Sequence, residues 1–269
     1  MNDLSIQIVN YKTKKYLEKC LKGLFDDLKK SDLTYEINIL DNNSGDDSTN
    51  LAKKYKSQKV NFYYSDKNLG FGGGHNFLAK KYIFKYILIL NPDLKFIQKN
   101  TIKRLFSKIK NDEKIKVIGP KLLTQEEKPQ RWDHGQLDEL LAKITNRIGH
   151  SYWRNLNKSS KVAWVSGAFL MIEKAVHDKI GGFDENFFLY KEEEDLCLRV
   201  RKTGGEVWYS PEVKIMHIGS TVARKHEHLA KSSEHFDNKH LKGRPGFLLF
   251  RTMNKSFCAV YKLTGKIFH

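Results

Sequence analysis

Short apolar stretches of strand length recur along the first 90 residues, and the first of them alternates between apolar and polar residues. They cover residues 4–9, 37–40, 60–64 and 86–90, and polar or turn-forming residues follow each of them. Strands of this length with such boundaries are typical of a sheet that is buried on at least one face. The pattern therefore predicts four strands in this part of the chain.

Between these strands the apolar residues take the three- and four-residue spacing of helices. The first such stretch carries its apolar side chains at Tyr16, Leu17, Cys20, Leu21, Leu24 and Leu28. Either Asp47 or Ser48 can cap a second helix that runs through Tyr55. A glycine-rich segment at residues 68–76 opens a third helix, and residues 100–110 form a fourth. Alternating strands and helices predict an α/β fold with a mainly parallel, doubly wound sheet and helices on both faces.

Polar residues follow the ends of the predicted strands. Asn10, Asp41 and Asn68 come after the first three strands, and Asn91-Pro92-Asp93 comes after the fourth. In doubly wound sheets, ligands bind in the crevice outside the carboxyl ends of the strands. We therefore expect the functional site at this edge of the sheet.

The second half of the chain is less regular. Residues 125–161 are polar and irregular, regular structure returns at residues 162–172, and an acidic-led helix covers residues 192–202. Short strands are expected near residue 207 and over residues 214–217. We predict one catalytic domain over residues 1–220. A basic, partly amphipathic and helical C-terminal extension follows over residues 221–269.

The charge of the chain narrows the choice of partners. The chain has 269 residues with 40% hydrophobic and 29% charged residues, which is a globular composition and excludes a disordered chain. Its 48 lysine and arginine residues against 31 aspartate and glutamate residues give a net charge of +17. So large an excess favours nucleic acid, a phosphate-bearing substrate or an acidic membrane surface as a partner.

The cysteines and the apolar runs indicate in which cellular compartment the protein is expected. Cys20, Cys197 and Cys258 are far apart and form no paired motif, which argues against a disulfide framework or a zinc knuckle. The first residues lack the pattern of a signal peptide, and the longest apolar run is too short to span a bilayer. We therefore expect a cytoplasmic protein.

Four segments could carry chemistry, and each has a structural alternative. Asp93 can hold a divalent cation, Mg²⁺ or Mn²⁺, that bridges the phosphates of a nucleotide diphosphate, or it can simply end a turn. The glycine-rich segment fits neither the dinucleotide fingerprint nor the P-loop, and its glycines can serve close packing instead. His217 is either a metal ligand or a polar residue at a strand end.

Four acidic residues, Glu192 to Asp195, stand at the start of the last predicted helix. Carboxylates at a helix N-terminus are favoured by the macrodipole, which explains one or two of them. Crowding four together raises at least one pKa, and such a carboxylate can act as a general base. Both interpretations stay open on the residues alone.

The segments match a family pattern when they are taken in order. The series consists of Asp41-Asn-Asn-Ser44, Asn68-Leu-Gly-Phe-Gly-Gly-Gly-His-Asn76, Asn91-Pro-Asp93, Trp164-Val-Ser-Gly-Ala-Phe-Leu-Met-Ile172, Gly181-Gly-Phe-Asp-Glu185, Phe187 to Arg199 and Met216-His-Ile-Gly219. The chain resembles the family 2 glycosyltransferases of GT-A fold, a Rossmann-like architecture, and in particular their rhamnosyltransferase-like branch. The resemblance covers roughly residues 4–220.

The resemblance implies transfer of a sugar from a nucleotide-diphosphate donor with inversion at the anomeric carbon. It assigns nucleotide contacts to Asn10, Asp41, Asn43, Asn68, Gly70, Asn91 and Asp93, and metal contacts to Asp93 and His217. The base is expected at Glu193 or Glu192, because Glu193 stands where the family has an aspartate. The acceptor side is assigned to Trp164, Gly167, Ala168 and Asp195, with Trp132 or Trp153 stacking on a sugar face.

The expected partners follow from the same resemblance. They are a dTDP- or UDP-sugar, with rhamnose as the candidate sugar, and a saccharide or polyprenyl-linked acceptor in cell-surface polysaccharide synthesis. The basic C-terminal extension carries Phe247, Phe250, Phe257 and Tyr261 at helix-compatible spacings, which is typical either of a helix lying on an anionic membrane or of one packing on the core. We expect a peripheral position on the inner face of the membrane, a homodimer, and no nucleic acid.

Three other functions compete with this interpretation. A sugar nucleotidyltransferase needs a glycine-rich loop after the first strand, where this chain has Asn10-Tyr11-Lys12. A nucleic-acid-binding protein would explain the charge but lacks an RRM, KH or zinc-finger motif. A catalytically inactive glycosyltransferase-like scaffold is suggested by Asn91 and Glu193, which depart from the family pattern.

Overall fold

The computed structural model describes residues 2–46, 50–55, 59–81, 83–136, 153–219, 225–243, 247–248 and 252. The strands in these residues are β1 (Asn2–Asn10), β2 (Tyr35–Asp41), β3 (Val60–Tyr64), β4 (Phe84–Leu90), β5 (Leu94–Phe96), β6 (Ile115–Leu123), β7 (His134–Gly135), β8 (Ser160–Lys161), β9 (Trp164–Val165), β10 (Phe169–Glu173) and β11 (Glu206–His217). The helices are α1 (Lys14–Leu28), α2 (Asn50–Lys54), α3 (Gly70–Ala79), α4 (Thr101–Asn111), α5 (Lys174–Lys179), α6 (Glu192–Lys202) and α7 (Lys225–His240).

One large sheet organises these elements. Its strand order is β3-β2-β1-β4-β10-β6-β11-β5, with β8 paired to β11, and β7 and β9 form a separate two-stranded sheet. Strands β3, β2, β1 and β4 are parallel, whereas β10 runs antiparallel to both β4 and β6. The start of β10 therefore lies beside the end of β4, where Phe169 pairs with Leu90. The predicted mainly parallel α/β sheet is confirmed.

The strand side chains alternate between two hydrophobic cores. On one face Ile6, Leu88 and Met171 pack with the apolar sides of α1 and α4. On the other face Ile89 and Leu170 pack with α6 and with β9. Because side chains of a strand point to opposite faces in turn, one sheet supports helices on both sides.

The four predicted N-terminal strands and the first four helices are all present. Strand β6, strand β5 and helix α5 are additions that the sequence pattern did not indicate. Gly119-Pro120 interrupts the apolar run of β6, and Gly119 is needed there because a Cβ atom would lie 2.8 Å from Val165 Cβ. The two short strands expected near 207 and 214–217 are one strand, β11, with a register shift between Ser210 and Lys214.

The first part of the C-terminal extension packs on the domain. Phe236 of α7 is fully buried with Phe187 and Leu198, and Ser232 Oγ donates to the Leu189 carbonyl oxygen at 2.8 Å. Phe250, Phe257 and Tyr261 lie outside the described residues, and so does Cys258. Among the described residues, no helix combines the length and the apolar character that a membrane span requires.

Candidate active site

Asn42 ties together the loops that follow β2 and β3. Its side-chain Nδ2 donates to Asn68 Oδ1 at 2.9 Å and to the Gly70 carbonyl oxygen at 3.0 Å. Its Oδ1 accepts from the Leu69 N–H at 2.9 Å, and Asn68 Oδ1 also accepts from the Gly70 N–H. Asn42 is 2% exposed, so this buried network holds residues 68–70, the segment that we predict to bind the nucleotide.

A second network joins β1 to β2 at the same edge. Asn10 Nδ2 donates to Ser44 Oγ at 3.2 Å, and Asn10 Oδ1 accepts from Thr13 Oγ1 at 2.6 Å. Asp41 Oδ1 accepts from the Ser44 N–H at 2.9 Å. Of the predicted nucleotide-binding residues, Asn10 and Asp41 are thus buried in protein hydrogen bonds, whereas Asn43 is exposed at a left-handed φ of 63°.

The glycine-rich segment is α3, and two of its glycines are required by close approaches. Gly70 has φ +74°, and a Cβ atom there would lie 2.4 Å from the Phe188 carbonyl oxygen. A Cβ atom on Gly74 would lie 2.8 Å from Val9 Cγ2. The Phe71 N–H donates to the same Phe188 oxygen at 3.0 Å. The segment therefore packs against β1 on one side and against residues leading into α6 on the other.

Asn76, at the end of the glycine-rich motif, holds the Gly181 to Glu185 turn. Its Nδ2 donates to the Phe183 carbonyl oxygen at 2.9 Å and to Glu185 Oε1 at 3.0 Å, and its Oδ1 accepts from the Phe183 N–H at 2.9 Å. A Cβ atom on Gly182 would lie 2.4 Å from Asn76 Oδ1. The glycine-rich motif and the turn at residues 181–185 are therefore in direct contact, although they are far apart in the sequence.

Asp93 and His217 lie side by side at the end of the sheet. Strands β5 and β11 pair there, with Leu94 opposite His217. His217 Nε2 is 3.4 Å from Asp93 Oδ1 and 3.3 Å from Asn91 Nδ2. Asp93 Oδ2 accepts from the Gly219 N–H at 2.9 Å. Burial raises the pKa of Asp93, but His217 and the Gly219 N–H favour the ionised form more strongly and leave the pKa below its ordinary value.

These residues suit a hard divalent cation. His217 Nδ1 lies 3.1 Å from Gln130 Oε1, and in the neutral tautomer that donates from Nδ1 to this oxygen, Nε2 is available to bind a cation beside Asp93. One carboxylate and one imidazole leave the remaining coordination positions for phosphate oxygens and water, which Mg²⁺ and Mn²⁺ commonly use. Within the described part of the chain, no cluster of three or more metal-ligating side chains exists.

The start of β10 connects this end to the acidic helix. The Asn91 N–H donates to the Ala168 carbonyl oxygen at 2.9 Å, and Cys20 Sγ lies 3.7 Å behind the Asn91 carbonyl oxygen. On its other side, a Cβ atom on Gly167 would lie 3.5 Å from Glu193 Cβ. Ala168 thus contacts the segment that leads into Asp93, and the adjacent Gly167 lies beside Glu193.

Helix α6 begins abruptly and leaves two carboxylates unsatisfied. Tyr190 and Lys191, directly before it, both have φ 71°, and within the described ranges no side chain caps the helix. Glu194 is paired with Lys191 Nζ at 2.6 Å. The Oε2 atoms of Glu192 and Glu193 are buried without a hydrogen-bond partner in the described residues. Glu192 is 3% exposed, whereas Glu193 is half-buried.

Burial and mutual repulsion make both carboxylates reluctant to ionise. Burial, and then the charge of Glu194, raise the pKa of Glu193 to about 7, against the smaller opposing effect of backbone N–H groups, including that of Gly167. Burial and the charge of Glu193 raise the pKa of Glu192 well above its ordinary value. Such a carboxyl near neutrality is poised to exchange a proton.

Two residues predicted on the acceptor side lie elsewhere or are covered. The carboxylate of Asp195, 0% exposed, binds Arg199, Lys239 and His240, the last at 2.7 Å. It stands about 200° around the helix from Glu193, since each residue turns the helix by about 100°. Trp164 is buried against Gly135, where a Cβ atom would meet its Nε1 at 2.0 Å. An acceptor contact of Asp195 gains no support from this placement.

Asp133 anchors the segment that runs past His217. Its carboxylate accepts hydrogen bonds from Trp153 Nε1 at 3.0 Å, from the Tyr209 hydroxyl at 2.8 Å and from the Leu122 N–H at 3.1 Å, and lies 2.6 Å from His134 Nδ1. Its carbonyl oxygen accepts from the Ser166 N–H at 2.9 Å. The segment from Gln130 to His134 is therefore held at both of its ends.

Several residues of the site were not predicted individually. Asn42 and Ser44 belong to the Asp41-to-Ser44 motif, so the motif was a usable signal for both. Gln130 lies 87 residues from His217 along the chain, and no local pattern marks it. Gly219 follows the predicted His217 and contributes only its backbone N–H.

Comparison with known proteins gives a family. The family model "Glycosyl transferase family 2" matches residues 5–181. The chain is 28% identical over 225 residues to the low-salt glycan biosynthesis hexosyltransferase Agl10 of Haloferax volcanii, covering 81% of this chain and 67% of the relative. It is 27% identical to rhamnosyltransferase WbbL of Escherichia coli, covering 74% and 79%. It is 23% identical to an N-acetylglucosaminyl-diphospho-decaprenol L-rhamnosyltransferase of Mycobacterium tuberculosis, covering 66% of this chain and 65% of that relative.

A solved structure gives the fold. The mannosyltransferase PcManGT from Pyrobaculum calidifontis, in complex with GDP-Man and Mn²⁺, superposes with a TM-score of 0.63 at 10% identity. The superposition covers 99% of this chain and 79% of that one. At this identity the likeness concerns the fold, which is the GT-A architecture expected from the sequence.

Proposed function

The chain belongs to glycosyl transferase family 2 and is a glycosyltransferase, and we propose that it transfers rhamnose, with inversion, from a nucleoside-diphosphate donor to a saccharide or polyprenyl-linked acceptor. The observation that carries the proposal is the presence of two unlike acidic groups whose neighbours, Ala168 and Gly167, are adjacent in the chain. Asp93, with its lowered pKa, lies beside His217 and two residues after Asn91, whose N–H donates to the Ala168 carbonyl oxygen. Glu193, with its raised pKa, lies beside Gly167.

A one-step inversion needs a base for the acceptor hydroxyl and a separate site that stabilises the leaving diphosphate. The acceptor oxygen attacks the anomeric carbon from the face opposite the diphosphate, so the base and the leaving group must lie on opposite sides. As the bond from the acceptor oxygen to that carbon forms, the bond from the carbon to the diphosphate oxygen breaks. The hydroxyl proton passes to a carboxylate, and the nucleoside diphosphate leaves with the bonding electron pair.

We assign proton acceptance to Glu193 rather than to Glu192. Glu193 faces Gly167 and is half-buried, whereas Glu192 is almost completely enclosed. With a pKa of about 7, Glu193 is ionised in a large share of molecules at neutral pH and yet remains a competent base. Burial and the neighbouring charge of Glu194 keep the pKa of Glu193 high.

At the donor end, Asp93 and His217 are the residues that would hold a divalent cation, Mg²⁺ or Mn²⁺. When bound, such a cation neutralises the charge of the diphosphate. Gln130 fixes the ring of His217, and the Gly219 N–H fixes the carboxylate of Asp93. The networks of Asn42 and Asn10 shape the loops that we assign to the nucleoside, with Asn43, Asn68 and Gly70 at the surface of contact.

The acceptor and the location follow from charge and from the relatives. The name of the mycobacterial relative specifies a diphospho-lipid-linked sugar as its acceptor. Residues 249–269 of this chain carry four lysine and arginine residues and no acidic residue, which favours an anionic surface. We include in the proposal a polyprenyl-linked acceptor and a peripheral position on the inner face of a membrane. A homodimer stays a prediction.

Thermal shift with nucleotides tests the donor end. UDP, dTDP and GDP are each added with Mn²⁺, with Mg²⁺ or with a chelator, and the corresponding nucleotide sugars are then screened for hydrolysis. We expect dTDP or UDP to raise the melting temperature by several degrees only when the divalent cation is present. We also expect slow hydrolysis of the matching nucleotide sugar.

Two matched variants test whether the cation-dependent thermal shift arises at Asp93. Asp93→Asn should abolish the cation-dependent part of the shift, whereas Asp32→Asn, an exposed aspartate paired with Lys103, should leave it unchanged. Binding of nucleotide without hydrolysis of any sugar donor would favour an inactive scaffold. A shift of equal size in Asp93→Asn and in the unaltered protein would contradict the assignment of the diphosphate end.

A further inference from the structure

Trp132 differs from the other three tryptophans in its exposure. Its side chain is 44% exposed, whereas Trp164 is buried. Trp153 and Trp208 are partly buried, and their indole N–H groups donate to Asp133 at 3.0 Å and to Glu206 at 2.9 Å. A single exposed aromatic residue is common on protein surfaces. The exposure of Trp132 therefore points to a function only when it is considered together with its backbone conformation.

The backbone of Trp132 is left-handed, with φ 64°. A bulky side chain rarely adopts this conformation, which glycine adopts freely. Its neighbours hold it there, because the Gln130 N–H donates to the Leu122 carbonyl oxygen at 2.9 Å and Asp133 is fixed by its buried carboxylate. A glycine would satisfy the same backbone without strain, so the backbone conformation does not account for an indole at this position.

The position of Trp132 in the chain suggests a role for its side chain. Two residues before it, Gln130 contacts His217 at the diphosphate end. One residue after it, the Asp133 carbonyl oxygen accepts from the Ser166 N–H, next to Gly167 and the base Glu193. Trp132 therefore lies on the segment that passes from the leaving-group side of the site to the acceptor side.

We propose that Trp132 is the platform on which the acceptor sugar stacks, and this inference rests on the proposed function and deepens it. The C–H face of a hexopyranose packs on an aromatic face, while its hydroxyl groups stay free for hydrogen bonds. Trp153 is unsuited to the role, because its N–H is committed to Asp133 and its ring is tilted at 53° against His134. The ligand class is a pyranose with one apolar face, presented to Glu193 by its hydroxyl group.

Trp132→Gly separates this role from a structural one. The variant removes the aromatic face and the backbone strain together, so we expect an unchanged melting temperature or an increase of up to about 4 °C. The ratio of sugar transfer to donor hydrolysis should fall at least tenfold, with most of the loss in the acceptor KM. Trp132→Phe, which keeps an aromatic face, should recover most of the ratio.

Glu127→Gly is the matched control. Glu127 is exposed, lies in the same loop and has φ 59°, so its glycine variant relieves a similar strain without touching the segment beside His217. We expect it to change neither KM nor the ratio. The acceptor probes are octyl glycosides of glucose, galactose, mannose, rhamnose and N-acetylglucosamine, together with N-acetylglucosaminyl-diphospho-farnesol.

Four results would overturn the inference. The first is an unchanged ratio in Trp132→Gly, and the second is a melting temperature lowered by several degrees with parallel loss of transfer and hydrolysis. The third is an unaltered enzyme that hydrolyses its donor yet glycosylates none of the probes. The fourth is an unaltered protein that neither binds a nucleoside diphosphate nor hydrolyses a donor, and this result alone also removes the proposed function.

Discussion

The carboxyl group of Glu193 is half-buried beside Glu192, whose Oε2 has no hydrogen-bond partner among the residues that the structure describes, and this environment sets the chemistry of Glu193. Its pKa is raised to about 7 from an ordinary value of 4.5. A base that titrates there loses activity when it is protonated below neutrality. The same shift bears on stability, because the unfolded chain releases this proton at lower pH than the folded one.

We therefore expect the kcat/KM of transfer to rise between about pH 6 and 8 and then level off. Glu193→Gln should lower transfer by about 10²–10⁴-fold and remove this rise. Since ionisation of Glu193 costs stability as pH rises from 4.5 through 7, the variant should be more stable than the unaltered protein at pH 8, by about 2 kcal/mol. Urea denaturation at pH 5 and pH 8 measures this difference. Glu113→Gln, at an exposed residue outside the site, is the control, and an unchanged pH profile in Glu193→Gln would contradict the role.

Gln130 offers a second test at the same scale. Its Oε1 lies 3.1 Å from His217 Nδ1 and orients the imidazole ring, and loss of such a contact typically weakens metal binding by about 10–100-fold. We expect Gln130→Ala to raise by that factor the Mn²⁺ concentration needed for half-maximal activity, with little change in the kcat at saturating Mn²⁺. Gln125→Ala, an exposed residue of the same loop, should change neither. An unchanged Mn²⁺ requirement in Gln130→Ala would remove His217 from the metal site.

How far the sequence predicted these residues depended on distance along the chain. Asp93, Glu193 and His217 stand in recognisable local motifs, and the structure brings the motifs to one edge of the sheet. Gln130 and the partner of Asn76 could not be predicted, because their contacts span 87 and 107 residues and depend on how the whole sheet is packed. Local patterns do not carry that information.

At the scale of elements, α7 acts as a support for the catalytic segment. Phe236 packs on Phe187 and Leu198, and Ser232 holds the Leu189 carbonyl oxygen. His235 and Lys239 contact Asp184 at 3.1 and 2.6 Å. Together with the Ser232 contact to Leu189, these bonds connect α7 to both ends of residues 184–189. This stretch passes beside Gly70 and leads directly into Glu192 and Glu193.

Phe236→Ala should accordingly reduce both stability and turnover. Removal of a fully buried phenylalanine side chain typically costs about 3 kcal/mol or more. We expect that loss in urea denaturation, and a kcat reduced severalfold even well below the melting temperature, because the start of α6 loses its support. Leu248→Ala, at a residue 76% exposed, is the control. A destabilised Phe236→Ala variant with unaltered kcat would show that α7 supports the fold but not the catalytic segment.

The elements that the sequence did not predict share a physical cause. Strand β5 has three residues, and its pairing with β11 rather than its own sequence makes it a strand. Strand β6 is interrupted by Gly119-Pro120, so its apolar run reads as two fragments. Tertiary pairing decided both elements.

At the scale of the whole molecule, the positive charge and the C-terminal extension concern where the enzyme works. Because α7 packs on the domain, a truncation meant to test membrane binding belongs after Leu248 rather than after Ser220. Residues 249–269 carry four of the basic residues, each worth about 1 kcal/mol near an anionic surface.

We expect the full chain to sediment with phosphatidylglycerol vesicles, and the chain truncated after Leu248 to stay in the supernatant. Transfer to a soluble octyl glycoside should be the same for both proteins, since the truncation leaves α7 in place. Phosphatidylcholine vesicles provide the neutral control, and high salt should release the full chain. Equal sedimentation of both proteins, or none by the full chain, would contradict a membrane role for these residues.

The thiol of Cys20 lies directly behind Asn91, and burial raises its pKa to about 12. At physiological pH it is therefore neither a nucleophile nor readily oxidised while the protein stays folded. An alkylating reagent reaches it only when α1 parts from the strands beneath the diphosphate end. The native chain thus contains a reporter whose labelling rate records how often that end of the molecule opens.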